Sequence, residues 1–173
     1  MPTFIALLRA VNVGGTGKLP MTELKSMCEA AGFTEVRTYI ASGNVVFGSA
    51  KTAAQVKVAL EAALLAYAGK PVKVLVRSAA EMAAVLSNNP FPQAAPNRTV
   101  AIFLDDAPSA DAVNKLSGQK NEEVALGKRE IYVHYGDGMG NSKLKVAGAE
   151  AGTARNMNTV AKLAAMAAAI PAP

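Results

Sequence analysis

The fold is decided by residues 36–47, which have the sequence VRTYIASGNVVF. Positions 36, 38 and 40 alternate with positions 37 and 39 in the two-residue period of a strand that has one buried face. Ser42, Gly43 and Asn44 are turn-forming residues, and the apolar residues at 45–47 then return as a partner strand. This stretch therefore predicts two antiparallel strands joined by a tight turn.

The segments before this hairpin predict a strand followed by a helix. Residues 3–8 form a continuous apolar run, which is typical of a central strand that is buried on both faces. The apolar residues that then recur at the spacing of one helix face are Leu24, Met27, Cys28 and Ala31. Gly32 follows them, at a position where a helix commonly ends.

The segments after the hairpin predict a second helix and a fourth strand. Thr52 and Gln55 have the spacing of a capping box, in which each side chain binds the backbone of the other residue at a helix start. The residues expected on the inner face of this helix are Val56, Leu60, Leu64 and Tyr67. Residues 72–76 follow with strand alternation. The order strand, helix, strand, strand, helix, strand is that of a ferredoxin-like unit.

The second half of the chain repeats this order less regularly. Ser78 and Glu81 predict a capped linker helix, and a proline-rich stretch follows it up to Pro96. The elements expected next are a strand at 99–104, a helix at 109–116, strands near 124–126 and 131–135, a helix after Ser142 and a last helix around 160–167. We therefore expect an α+β protein of two tandem ferredoxin-like (βαββαβ-type) units with antiparallel sheets. Unit 1 would span residues 1–77. Residues 78–173 would hold the linker helix and a degenerate unit 2, in which an extra C-terminal helix replaces the last strand.

Composition limits the classes of function. Hydrophobic residues make up 51% of the 173 residues, which is enough for a buried core and excludes a disordered chain. The net charge of +5 weakly favours anionic partners, although the cations are spread along the chain and form no tail of the kind that binds nucleic acid. Cys28 and His134 are the only residues of their kinds, which excludes an intrachain disulfide and a Cys/His zinc site. Because no segment has the pattern of a signal peptide or a membrane span, we expect a cytoplasmic protein without membrane contact.

Several strings of residues, taken together, resemble one bacterial family. In chain order they are LLRAVNVGG at 7–15, Pro20-Met21, TYIASGNVVF at 38–47, Asn89-Pro90-Phe91, GMGNSKL at 138–144 and TARNMNTV at 153–160. They cover nearly the whole chain and are similar to domain-of-unknown-function family 1697. The chain departs from the family pattern at Ala10-Val11, where Gly-Ile is more common, and at Met157, where an aromatic residue is usual. The resemblance implies the two-unit α+β fold and no established activity.

A Gly-rich loop at 12–18 lies between a strand and a helix, where phosphate-binding loops occur. The P-loop pattern requires a Gly five residues before Gly17 and a Ser or Thr after Lys18. Asn12 and Leu19 occupy those two positions, so the pattern fails. The loop is then either a flexible connection whose glycines permit positive φ, or an anion site of backbone N–H groups together with Arg9 and Lys18.

Two further polar strings precede expected helices. The glycines at 136–140 lead to Asn141, Ser142 and Lys143, where either a helix cap or an anion site fits. Asn156 is typical of a helix N-cap. Arg155 would lie at the positive end of the helix dipole, which is unfavourable unless a carboxylate or an anionic ligand lies nearby.

Other chemistries have little support in the sequence. His134 lies on an expected strand, and Ser42 lacks the glycines of a nucleophile elbow. Asp105 and Asp106 would point to opposite faces at a strand end, so they predict no metal site. The strand motif of RNA-binding ferredoxin-like modules is absent, and nucleic-acid binding stays open without support.

The favoured hypothesis is a protein that binds an anionic, phosphate-bearing ligand such as a nucleotide and that needs no cofactor. The residues assigned to this site are Arg9, Asn12, Gly14, Gly15, Lys18, Ser42, Asn44, Ser142, Lys143, Arg155 and Asn156. One alternative is an enzyme acting on a phosphorylated small molecule, with Lys18 or Lys143 as the electrophile. The other is a regulatory or interaction module whose sheets pair between subunits. The sequence decides neither enzymatic activity nor oligomeric state.

Overall fold

The computed structural model describes residues 1–12, 18–136, 140 and 142–170. In chain order its elements are β1 (Thr3–Leu8), α1 (Met21–Ala30), β2 (Thr34–Thr38), β3 (Asn44–Gly48), α2 (Ala53–Ala68), β4 (Val74–Ser78), α3 (Ala79–Ser87), β5 (Thr99–Phe103), β6 (Glu123–Leu126), β7 (Glu130–His134), β8 (Thr153–Asn156) and α4 (Met157–Ala168). Short 3-10 turns occur at Pro96–Arg98, Ala112–Asn114 and Ala149–Ala151. Within the described residues, no helix is both long enough and apolar enough to cross a membrane.

The chain divides into two compact units. One comprises Met1–Met82 together with Leu163–Pro173, and the other comprises Ala83–Lys162. The sequence predicts that the first unit ends at residue 77 and that all later residues belong to the second. In the structure the first unit extends to Met82 and also includes the chain from Leu163 on.

The first sheet has the strand order β2-β3-β1-β4, and all its neighbouring strands are antiparallel. The apolar strand β1 is central, as its continuous hydrophobic run predicts. The pairing of β2 with β3 shifts register between Thr34 and Arg37, where Glu35 has a φ of 52°. The order is that of a ferredoxin-like unit, so the predicted α+β fold class is confirmed.

Helices α1 and α2 supply the core on one face of this sheet. Their buried residues in this core are Leu24, Cys28, Val56, Leu60 and Leu64, which cluster with the sheet residues Phe4, Leu8, Val45 and Phe47. The predicted capping box of Thr52 and Gln55 is present, and α2 ends at Gly69 with a φ of 72°. The prediction that Tyr67 faces the core is wrong, because its side chain is 46% exposed. Tyr67 keeps the helical spacing of the buried positions 56, 60 and 64, but it lies on the last turn of α2, beyond the last buried position.

The second sheet has the order β6-β7-β5-β8, which matches the first sheet strand for strand. The prediction that a helix replaces its last strand is wrong, because residues 153–156 form β8 and pair with β5 from Val100↔Asn156 to Phe103↔Thr153. Four residues are too few to show strand alternation, and the asparagine at their end suggests a helix start.

The helices of the second unit differ more from expectation than its strands do. Neither the helix predicted at 109–116 nor the one predicted after Ser142 occurs in the described residues, where only the 3-10 turns Ala112–Asn114 and Ala149–Ala151 form. In the first of these turns Ala112 is buried and Leu116 is packed against the same core cluster, although no full α-helical turn forms there. The degeneracy expected of this unit therefore lies in its helices.

Strands β4 and β8, the last strands of the two sheets, have the same local arrangement at their C-terminal ends. Arg77 on β4 pairs with Ile5, the third residue of β1, and Arg155 on β8 pairs with Ala101, the third residue of β5. In each unit the next residue caps a helix. The hydroxyl of Ser78 accepts a hydrogen bond from the N–H of Glu81 at the start of α3. Asn156 Oδ1 likewise accepts one from the N–H of Thr159 in α4, so both predicted caps are confirmed.

Candidate functional site

The described residues of the first unit enclose a pocket of about 650 Å³ where β1 ends and β4 begins. These strands are antiparallel, so the residue after β1 lies beside the residue before β4. The N–H of Arg9 donates a hydrogen bond of 2.9 Å to the carbonyl of Lys73. The pocket therefore lies at one end of the sheet, next to the C-terminal turn of α2.

Four cationic side chains line this pocket. They are Arg9, Lys18, Lys70 and Lys73. Among the lining residues that the structure describes there is no carboxylate. Cations placed close together repel one another, and an anion among them converts that repulsion into attraction. An anion at this lining would therefore be attracted by the charges around it.

The rest of the lining is apolar apart from one tyrosine. Val11, Leu19 and Leu64 are buried, and Val72 is half-buried. Tyr67 projects from the last turn of α2 into the lining and is exposed at its surface. A concave apolar surface with a few charged groups is the usual composition of a small-molecule site.

Asn12 holds the two ends of the Gly-rich connection together. Its Nδ2 donates to the carbonyl of Leu19 at 2.8 Å and to the carbonyl of Ala41 at 2.8 Å. Its Oδ1 accepts a hydrogen bond of 2.6 Å from the N–H of Leu19. These three bonds place Leu19, and with it the neighbouring Lys18, at the pocket. The amide that we assigned to ligand binding is thus engaged with the backbone, on both sides of its own group.

Ser42 lies in the turn before β3, and Asn44 is the first residue of β3. The buried Asn44 donates from Nδ2 to the carbonyl of Tyr39 at 2.8 Å and to the hydroxyl of Ser42 at 3.0 Å. Between them Gly43 has a φ of 90°, and a Cβ at this position would lie 2.7 Å from a methyl group of Val11. The turn therefore packs directly against one pocket residue, and neither Ser42 nor Asn44 is part of the lining.

Ser142 and Lys143 belong to the second unit. The hydroxyl of Ser142 donates to Glu122 Oε2 at 2.6 Å and accepts from the N–H of Leu144 at 3.2 Å. The hydrogen bond from Ser142 is the main reason why the pKa of the Glu122 carboxyl lies below its ordinary value. The backbone of Lys143 runs so close to Gly118, which has a φ of 69°, that a Cβ there would lie 2.0 Å from the Lys143 carbonyl oxygen.

Arg155 lies on β8 and is 7% exposed, so it precedes the last helix instead of lying in its first turn. Its Nη1 donates to the hydroxyl of Thr153 at 2.7 Å and to the carbonyl of Ala154 at 2.9 Å. Burial lowers the pKa of the guanidinium to about 10, so the group is still charged at neutral pH. Asn156 beside it is the cap of α4.

The structure brings together two of the predicted site residues, Arg9 and Lys18, in one pocket. Gly14 and Gly15 lie outside the described residues, as does Asn141. Sequence reasoning missed Lys70, Lys73 and Tyr67. A signal was present, because the string Lys-Pro-Val-Lys at 70–73 directly precedes β4, and a ferredoxin-like pairing places that end of β4 beside the end of β1.

Two other side chains with potential chemistry, Cys28 and His134, lie outside this pocket lining. Cys28 is on the buried face of α1, and burial raises the pKa of its thiol to about 12, which makes it a poor nucleophile. His134 Nδ1 lies 3.7 Å from Glu123 Oε1 on the neighbouring strand. Among the described residues no group of three or more His, Cys, Asp or Glu side chains is placed to hold a metal ion.

A family model described as protein of unknown function (DUF1697) matches residues 1–132. The chain belongs to this family. The resemblance inferred from the sequence strings is thereby confirmed.

One solved structure similar to this DUF1697 chain is that of the conserved bacterial protein SP0830 from Streptococcus pneumoniae. The two share 26% sequence identity with a TM-score of 0.79, over 95% of this chain and 98% of that chain. A search among curated proteins found no match. The fold is therefore shared with a solved bacterial protein.

Proposed function

We propose that this DUF1697 protein binds an anionic, phosphate-bearing small molecule, such as a nucleotide, in the pocket of its first unit. The observation that carries the proposal is that four cations line one pocket whose described lining holds no carboxylate. Arg9 and Lys18 are predicted from the sequence as site residues. Lys70 and Lys73 are recognised as lining residues only in the folded structure.

The chemistry of these side chains suits phosphate oxygens. A guanidinium presents paired N–H donors in a plane that matches two oxygens of one phosphate, and each ammonium adds three donors around a point charge. Arg9 and Lys73 lie on neighbouring strand ends, so their backbones are held by the sheet. Asn12 fixes the backbone next to Lys18. With the backbone held in this way, mainly the side-chain rotamers of these cations would have to be ordered on binding.

The pocket favours binding over catalysis. Its described lining contains no histidine, cysteine or carboxylate that could act as a general base. The alternative of an enzyme with Lys18 as electrophile therefore lacks the most common general bases within this described lining.

The alternative of sheets pairing between subunits has little support at β4, which lies at an edge of the first sheet. The N–H of Val74 donates to Glu61 Oε2 at 2.9 Å, and the carbonyl of Val74 accepts from Lys57 Nζ. The N–H of Ser78 donates to Glu81 Oε1 at 2.8 Å. An edge whose backbone groups are already bound by side chains offers few partners to another strand.

The test is calorimetric titration of the purified protein with inorganic pyrophosphate and with ATP, at low and at high salt. Arg9→Glu and Lys70→Glu should each weaken binding of both probes by about tenfold or more, which corresponds to about 1.4 kcal/mol. Lys25→Glu is the matched control, because Lys25 is exposed on α1 and lies outside the pocket lining.

Equal losses in the pocket variants and in Lys25→Glu would mean that net charge alone attracts the anion. The same conclusion would follow if high salt abolished wild-type binding. An absence of binding by the wild-type protein to either probe would refute the proposed function.

A further inference from the structure

Part of the pocket lining is uncharged, and a bare phosphate would not use it. Tyr67 is 46% exposed and lines the pocket together with the buried Leu64 and the half-buried Val72. Resting on the proposed function, we infer that the ligand is a nucleoside phosphate. Its base packs against Tyr67, and its phosphate groups lie among the cations of the same lining.

The aromatic side chain is placed for contact with a ligand. Tyr67 lies on the last turn of α2, beyond the last buried position, Leu64. It lines the pocket and, at 46% exposed, is not part of the core. Aromatic rings stack on planar bases through their faces, and every base offers such a face.

The size and shape of the cavity favour a mononucleotide over a polymer. A volume of about 650 Å³ is within the range of pockets that enclose one small molecule. Surfaces for single-stranded nucleic acid instead present several aromatic rings along an extended cationic groove. Tyr67 is the one aromatic residue in the described lining of this pocket.

The apolar surroundings of Tyr67 also predict weak discrimination between bases. The lining side chains next to it, Leu64, Ala68 and Val72, have no hydrogen-bonding groups. Stacking on a ring tolerates every base, since each has a π-face. A purine, which has the larger face, should bind more tightly than a pyrimidine.

The experiment compares ADP, CDP and inorganic pyrophosphate by calorimetry on the wild-type protein and on Tyr67→Leu and Tyr67→Phe. On the wild type, ADP should bind at least about tenfold more tightly than pyrophosphate, with CDP between them. Tyr67→Leu should remove this advantage while leaving pyrophosphate affinity within about twofold, and Tyr67→Phe should retain it. Leu65→Ala is the matched control, because Leu65 is 47% exposed on the same helix and lies outside this lining.

Each contrary outcome has a separate meaning. Equal affinities for pyrophosphate and ADP, unchanged in Tyr67→Leu, would overturn the base contact and leave the proposed function standing. If neither probe binds, both proposals fail together. A single-stranded oligoadenylate that binds more tightly than ADP would overturn the mononucleotide in favour of RNA. The unfolding midpoint of each variant confirms that it is folded at the titration temperature.

Discussion

At the scale of single residues, Asn12 binds the backbone of Leu19, which lines the pocket. It has a φ of 56°, a backbone conformation that asparagine adopts more readily than most residues, and its amide makes three hydrogen bonds to the backbone. Ala10, two residues earlier, has the same φ without a compensating side chain. The turn that leaves β1 is therefore strained, and Asn12 stabilises it.

We expect Asn12→Ala to lower the free energy of unfolding by about 2–3 kcal/mol, since it removes all three hydrogen bonds and leaves a Cβ residue in the left-handed region. Asn12→Gly loses the same bonds but tolerates positive φ, so it should cost about 1 kcal/mol less than the alanine variant. Urea unfolding measures both values. Equal losses would contradict a contribution from backbone strain.

Ser142 and Glu122 should make stability depend on pH. The folded-state pKa of Glu122 lies below its ordinary value of 4.5 because the Ser142 hydroxyl binds the carboxylate. The carboxylate therefore contributes stability above the ordinary pKa, and this contribution is lost as the pH falls through the folded-state pKa. Ser142→Ala should be less stable than the wild type near neutral pH, and the difference should shrink in acid.

Urea unfolding over a series of pH values measures that difference. Thr52→Ala is its control, because it removes a capping bond to the neutral Gln55 and should cost about 1 kcal/mol at every pH. A cost of Ser142→Ala that stayed constant down to the lowest pH would show that Glu122 has no part in it.

At the scale of elements, α2 protects the edge of the first sheet. Lys57 and Glu61 form an ion pair of 3.0 Å on this helix, and together they bind the carbonyl and the N–H of Val74 on β4. One helical turn thus satisfies both outward-facing backbone groups of a strand residue. This arrangement explains why a half-buried lysine and glutamate lie next to the sheet.

Lys57→Ala should lower the free energy of unfolding by about 1–2 kcal/mol, because it breaks a contact that includes a backbone carbonyl. The matched control is Lys115→Ala, which breaks an exposed ion pair of 3.0 Å with Asp111 that has the same i, i+4 spacing. That change should cost at most about 0.5 kcal/mol. Equal costs in urea unfolding would mean that the strand contact contributes nothing beyond the ion pair.

At the scale of the whole molecule, the two units carry the same buried arginine. Arg77 is 1% exposed and Arg155 is 7% exposed, and each donates from Nη1 to the carbonyl of the residue before it. Both precede a helix cap and pair with the third residue of a central strand. A feature that is repeated in both units favours a structural role for Arg155 over the ligand contact suggested by the sequence.

Arg77→Met and Arg155→Met should each lower the free energy of unfolding by about 2–4 kcal/mol, because each leaves a buried backbone carbonyl without the charged donor that binds it. Under conditions where the variants are folded, pyrophosphate affinity should stay within about twofold of the wild type. Calorimetry on both variants checks this. A selective loss of binding in Arg155→Met, with stability unchanged, would restore Arg155 to the ligand site.

Much of the fold and part of the candidate site follow from the sequence alone. The strands of the first unit, the capping residues Thr52 and Ser78 and the helix end at Gly69 were all predicted, because each depends on residues within one turn or one strand. The strand-to-helix connection likewise indicated Arg9 and Lys18. These features are local, and the sequence determines them by itself.

The other features depend on contacts between segments that are distant in sequence. Residues 153–156 become a strand because their hydrogen bonds come from β5, about fifty positions earlier in the chain. Lys70 and Lys73 join Arg9 because β4 pairs antiparallel with β1, and Tyr67 lines the pocket because the buried stripe of α2 ends beside it. Contacts between residues distant in sequence leave no periodic trace in either segment, so they emerge only when the sheet is assembled.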